Sequence, residues 1–102
     1  MNRYQAIIKT HNDRQLARLD ALANDVRNLA KDKGVTVRFY GSYARRKVHP
    51  ESDLDVLIVD NLDRERRHEI MLGIEHLSSD HEVAVDIVEA ALAPHLAKGS
   101  IS

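Results

Sequence analysis

Apolar residues in the first third of the chain recur at intervals of three and four: Leu16, Leu19, Leu22, Val26, Leu29 and Ala30. That period puts them on one stripe and predicts a helix from about Asp13 to Asp32 with one buried face. Asn12 or Asp13 is suited to cap its start, and Gly34, just after Lys31 and Lys33, to close its end. The pattern then changes. Val35 to Tyr40 (VTVRFY) is β-branched and aromatic, of strand length, and predicts the first strand.

Gly41-Ser42 interrupts that strand, and Tyr43 to Val48 reads as a helical turn or short helix that the loop His49-Pro50-Glu51-Ser52 ends. Leu54 to Val59 (LDVLIV) turns apolar at every position after its first residues, the mark of a central strand covered on both sides. Asn61 or Asp63 caps a second helix running to about Leu77, with Leu62, Ile70, Ile74 and Leu77 inward and the RERRHE stretch in water. Glu82 to Val88 (EVAVDIV) predicts a third strand. The tail is expected to form one short helix started or interrupted at Pro94 and then to fray. The whole is an α/β domain with a small sheet and flanking helices, spanning residues 1–102 as one unit. So small a core is expected to have a sheet edge or helix face covered by a partner, and an edge-to-edge homodimer or a hetero-oligomer would each supply one.

Composition narrows the function. Fifteen Lys and Arg against sixteen Asp and Glu leave a net charge of −1, so no global field draws the chain to a nucleic-acid backbone or an anionic membrane. One Phe, three Tyr and no Trp offer little surface for stacking bases, which argues further against nucleic acid as a partner. With no cysteine there can be no disulfide, thiolate metal site or Cys nucleophile. No apolar run approaches signal-peptide or membrane-span length, and the expected location is cytoplasmic.

The chemistry concentrates between Gly41 and Asp55. A strand ending in Gly41-Ser42 and feeding a helix start leaves backbone N–H groups free for an anion such as phosphate. Asp53 and Asp55, two apart at the mouth of a strand, place both carboxylates on one face about 7 Å apart. Asp86 interrupts the apolar run VAVDIV, where an unpaired carboxylate is expected to cost several kcal/mol. Three carboxylates within about 5 Å repel by about 3 kcal/mol per pair at an effective dielectric near 20, so the grouping makes sense with cations between them. Magnesium is the natural candidate. Two Mg²⁺ ions can bridge a nucleoside triphosphate, activate a hydroxyl and neutralise departing pyrophosphate, which implies nucleotidyl transfer.

The remaining polar residues have plainer explanations. Arg45, Arg46 and Lys47 form either a solvated cluster or a phosphate-facing one, with Arg45 the residue singled out for phosphate. Ser52 suits a turn, Tyr43 an exposed turn or packing, and Asp60, Asp63 and Glu89 caps. The six histidines show no metal-ligand spacing and read as surface residues.

The run GSYARRKVHPESDLDVLIV resembles the signature of the minimal nucleotidyltransferases of the DNA polymerase β superfamily. Ser42 and Asp53 enclose ten residues, Tyr43 to Ser52, before the Asp-x-Asp, and Asp86 in VDIV matches the third acidic position. The resemblance covers about Val35 to Val88. It implies the polymerase β-like fold with a mixed sheet, and a site in which Asp53 and Asp55 hold two Mg²⁺ ions while Asp86 serves as ligand or general base. It also implies that Gly41, Ser42 and Arg45 bind the triphosphate of ATP. Such proteins are often encoded beside a HEPN-domain protein, so the resemblance implies an antitoxin that transfers AMP to a hydroxyl, such as a tyrosine's, of a HEPN toxin. Two departures stand out: Arg46, where relatives commonly carry Gly, and a short C-terminal tail. Two other functions compete. One is a binding module that neutralises its partner by covering it; the other is an enzyme acting on a small molecule of aminoglycoside type, for which the chain is short of acceptor pocket.

Overall fold

The computed structural model describes residues 2–102. Its elements are α1 (Arg3–Lys33), β1 (Val37–Tyr40), α2 (Gly41–Ala44), β2 (Leu54–Ile58), α3 (Arg64–His81), β3 (Val85–Glu89) and a 3-10 turn (Pro94–Ala97). The sheet order is β1-β2-β3, with β1 antiparallel to β2 and β2 parallel to β3, so the small mixed sheet with flanking helices is as expected. No helix among the described residues is long and apolar enough to cross a membrane.

α1 starts ten residues before the expected position. Asn2 caps it, accepting from the Gln5 N–H at 2.8 Å while the Gln5 side chain accepts from the Asn2 N–H at 3.1 Å. Asn12 and Asp13 therefore lie inside the helix. At about 1.5 Å per residue the helix is some 46 Å long, which accounts for a molecule 52 Å in its longest dimension. Its buried residues begin at Gln15, and Tyr4, Ile7 and Ile8 on the preceding turns are exposed. The apolar period located only the part of the helix that packs, because an overhanging segment has no core to face.

Strand alternation sorts the sheet into two faces. Val37, Phe39, Leu54, Val56 and Ile58 point into a core completed by Leu19, Leu22, Val26 and Ala30 of α1 and Ile70 and Ile74 of α3. β2 is central as expected, but the helices cover only one of its faces; on the other, Leu57 is buried without a helix over it. Because α1 and α3 both cover one face, the other is left to Arg38, Tyr40, Asp55 and Asp86, where chemistry can occur.

Three local expectations need correction. The turn after β1 runs from Gly41 to Ala44 and does not reach Val48, because Arg46 takes a left-handed φ of 56° that no helix can accommodate. α3 continues to His81 and is closed by Glu82 in the left-handed region, so β3 begins only at Val85. The tail does not fray. The 3-10 turn begins at Pro94 as expected, but Ile101 then pairs with Phe39, the Phe39 N–H donating at 2.6 Å and the Ile101 N–H at 2.8 Å. Ser100 is buried, and Arg38 donates to its hydroxyl through Nε and to its carbonyl through Nη2, both at 2.6 Å. A polar tail is held here by hydrogen bonds to a strand edge, which hydropathy does not reveal.

Candidate functional site

The register of the sheet builds the site. Tyr40 lies opposite Asp55 across the antiparallel pair, and Asp55 opposite Asp86 across the parallel pair. Directly paired residues share a face, so Tyr40, Asp55 and Asp86 form one row on the side away from the helices, on strands about 4.8 Å apart. Asp53, two residues before Asp55, is half-buried at the mouth of β2.

The loop carrying Asp53 is held from a distance. Gln15 of α1 is buried and its Nε2 donates to the Ser52 carbonyl at 2.6 Å, while the Ser52 hydroxyl accepts from the His49 N–H at 2.9 Å. Ser52 therefore has the turn-forming role expected of it. Gly41 sits against the row from the other side. Its φ is +72°, and a Cβ there would lie 2.0 Å from Asp55 Oδ2, so both the backbone conformation and the close approach require glycine.

Electrostatics tie the row together. Burial, then the charges of Asp53 and Asp86, push the Asp55 carboxyl up from 3.8 to about 6, with Arg45 pulling in the opposite direction. Burial and then Asp86, Asp55 and Asp53 push the Tyr40 hydroxyl up to about 12. Tyr40 thus keeps its proton and donates to Asp86 Oδ2 at 3.3 Å. Asp86 itself is exposed on the edge strand, so the burial cost expected of it falls on Asp55. An acidic residue on an edge strand faces water on one side, whatever its apolar neighbours in sequence.

Among the described residues no three His, Asp or Glu side chains stand as a ready-made metal cage. The donor set nevertheless fits a hard cation. Asp53, Asp55 and Asp86 offer only carboxylate oxygens, and their mutual repulsion at Asp55 is what a divalent ion between them would relieve.

The other basic and aromatic residues sort clearly. Tyr43 is buried, stacks edge-on to Phe39 at 5.8 Å and donates to Asp20 at 2.6 Å, so it is a packing residue. Arg46 lies over the Tyr43 ring at 5.1 Å and pairs with Asp20 at 3.0 Å, which removes it from the phosphate candidates. Its left-handed backbone, φ 56°, is a conformation that suits glycine better than arginine. Gly41, half-buried Ser42 and exposed Arg45 line the same end of the sheet as Asp55. Asp60 accepts from the Thr36 N–H at 2.7 Å and Asp63 caps α3, whereas Glu89 pairs with Arg67. One histidine departs from the surface reading: His81 is partly buried and bonded to Asp25 at 2.6 Å.

Residues 19–101, a span holding every candidate above except Gln15, match the family described as "Nucleotidyltransferase domain". The chain belongs to that family. This nucleotidyltransferase domain is similar to a solved minimal nucleotidyltransferase, 29% identical, covering 85% of this chain and 94% of the other with a TM-score of 0.62. It is also similar to a chain in the crystal structure of a toxin-antitoxin with AMP-PNP, 28% identical over 69% of this chain and 58% of the other, TM-score 0.51. A more distant likeness, at 24% identity and a TM-score of 0.47, is to a tri-AMPylated Shewanella oneidensis HEPN toxin in complex with MNT antitoxin, over 74% of this chain and 58% of that one. No curated protein matches significantly.

Two residues of the site escaped the sequence reading. Tyr40 had a signal: Arg38 and Tyr40 alternate with Val37 and Phe39, which puts Tyr40 on the polar face beside Asp55. Gln15 had a weaker one, a polar residue four before Leu19 on the edge of the apolar stripe.

Proposed function

We propose that this nucleotidyltransferase transfers AMP from ATP to a hydroxyl, such as a tyrosine's, of a HEPN-domain toxin and so acts as its antitoxin. The observation that carries the reading is the carboxylate row: the register sets half-buried Asp55 beside Asp86, two residues from Asp53, and its carboxyl is pushed up by burial and then by those two charges, a grouping suited to bound cations. Asp53, Asp55 and Asp86 would hold two Mg²⁺ ions. Bound magnesium would supply Lewis-acid neutralisation of the phosphates and of departing pyrophosphate. Gly41, Ser42 and Arg45 orient the triphosphate, the glycine by letting the backbone approach and Arg45 by its charge. The attacking oxygen forms a bond to the α-phosphorus, the bond to the bridging oxygen breaks, pyrophosphate leaves, and the hydroxyl proton passes to a carboxylate. Asp86 suits that last role, because an exposed edge-strand position is open to an acceptor carried on another protein. The location that goes with this reading is cytoplasmic.

The partner follows from the resemblance in the Gly41–Asp55 segment, with support from the likeness to a toxin-antitoxin structure. The test is the intact mass of the partner toxin after co-expression with this protein or with an Asp53→Ala, Asp55→Ala double variant. A gain of one AMP or a multiple that disappears in the variant is the expected result. A partner that stays unmodified yet is neutralised by both versions would overturn transfer in favour of a binding module.

A further inference from the structure

The C-terminal segment has more to do than close the sheet edge. It is fastened at Ser100 by Arg38 and at Ile101 by Phe39, and the Ser100 hydroxyl also donates to the Ala97 carbonyl at 2.7 Å. Gly99, with φ +83°, turns the chain between these fastenings. Lys98 is thereby bracketed between Ala97 and Ser100, its backbone set while its side chain stays exposed.

Between this strap and α2 lies a cavity of about 420 Å³ whose walls include Tyr40, Gly41, Arg45, His95, Lys98 and Gly99. That volume is within the ordinary range for small-ligand sites, about 300–1,000 Å³. Three larger hollows, of about 550, 750 and 430 Å³, lie on α3, between α1 and α3, and on the first turns of α1, none of them lined by Asp53, Asp55 or Asp86. The smaller cavity is set apart by its chemistry. Tyr40 and Gly41, two of its walls, also touch the carboxylates, Tyr40 bonded to Asp86 and Gly41 packed on Asp55, so the cavity and the carboxylate row are neighbours. Across from that acidic edge stand Arg45, Lys98 and His95, none of which forms an ion pair among the described residues, although Lys33, Arg46 and Arg67 do. Two cations without an ion-pair partner, Arg45 and Lys98, beside a carboxylate cluster suit a ligand that is itself polyanionic, part of it held through metal and part countered directly.

We propose that the strap is the second wall of the nucleotide pocket and that Lys98 is a binding residue for the triphosphate, across the cavity from Arg45, with His95 beside it. Arg38 fastens this strap at Ser100, two residues beyond Lys98. This rests on the nucleotidyl-transfer reading above and adds residues to its substrate site.

The test is ATP binding by calorimetry in the presence of Mg²⁺, comparing the unaltered protein with Lys98→Ala, Lys98→Arg and Lys31→Ala. Lys31, an exposed cation in the last turn of α1, controls for general loss of charge. Lys98→Ala is expected to weaken ATP binding about ten-fold, the scale of one lost charge-assisted contact. Lys98→Arg should largely restore it and Lys31→Ala should leave it unchanged. Circular dichroism melting of all four proteins should coincide, since Lys98 is exposed. Unchanged ATP affinity in Lys98→Ala, or equal weakening by Lys31→Ala, would overturn the assignment and leave nucleotidyl transfer standing. No ATP binding by the unaltered protein would overturn both.

Discussion

Replacing Asp55 by Asn should make the metal-free protein more stable while abolishing transfer. Asp55 is half-buried, and its carboxyl is pushed up from 3.8 to about 6, first by burial and then by Asp53 and Asp86. A raised carboxyl in the fold means that the ionised form is held at a cost the unfolded chain does not bear. Below about pH 4 the group is protonated in both states and contributes nothing. Between about pH 4 and 6 the unfolded chain ionises while the fold retains the proton, so the cost grows, and above about pH 6 it is constant. The rise from 3.8 to about 6 corresponds to about 3 kcal/mol, and partial solvent access reduces this to about 1–2 kcal/mol. Asparagine keeps the shape and removes the charge. In urea unfolding with EDTA, Asp55→Asn should therefore exceed the unaltered protein by about 1–2 kcal/mol at pH 7.5, and the gap should close as pH falls from 6 to 4. Millimolar Mg²⁺ should raise the stability of the unaltered protein and not that of the variant. A variant equally or less stable at pH 7.5, or a gap indifferent to pH, would refute the claim that the ionised Asp55 carboxylate is held at a cost by burial and by its acidic neighbours.

Two further substitutions test the backbone around the row. Gly41→Ala places a Cβ 2.0 Å from Asp55 Oδ2 at a φ of +72°, and should lose about 1–3 kcal/mol in urea unfolding together with transfer activity. Unchanged stability would show that the loop can move aside. Arg46→Gly should melt within about 1 kcal/mol of the unaltered protein, because relief of left-handed strain, about 1–2 kcal/mol, offsets loss of the exposed Arg46–Asp20 pair, about 0–1 kcal/mol. A large loss would mean that Arg46 over Tyr43 matters more than its backbone.

Residue order alone was enough for the elements that bury a face and for the motif that carries the chemistry. The three- and four-residue period from Leu16 to Ala30 marks the packed part of α1, the run from Leu54 to Val59 marks a central strand, and Gly41-Ser42 followed at a set distance by Asp53 and Asp55 points to phosphate and metal. These signals are local: each depends on spacing along one segment. What packing decided depends on residues far apart in the chain. The register that aligns Tyr40, Asp55 and Asp86 arises from three strands meeting, and only then does Asp86 prove exposed and Asp55 strained. Gln15 reaches Ser52 across 37 positions, and Arg38 reaches Ser100 across 62, fastening a tail that by composition is expected to fray. Local pattern records which side of an element avoids water; which polar groups then satisfy one another is settled by the geometry in which those elements come together.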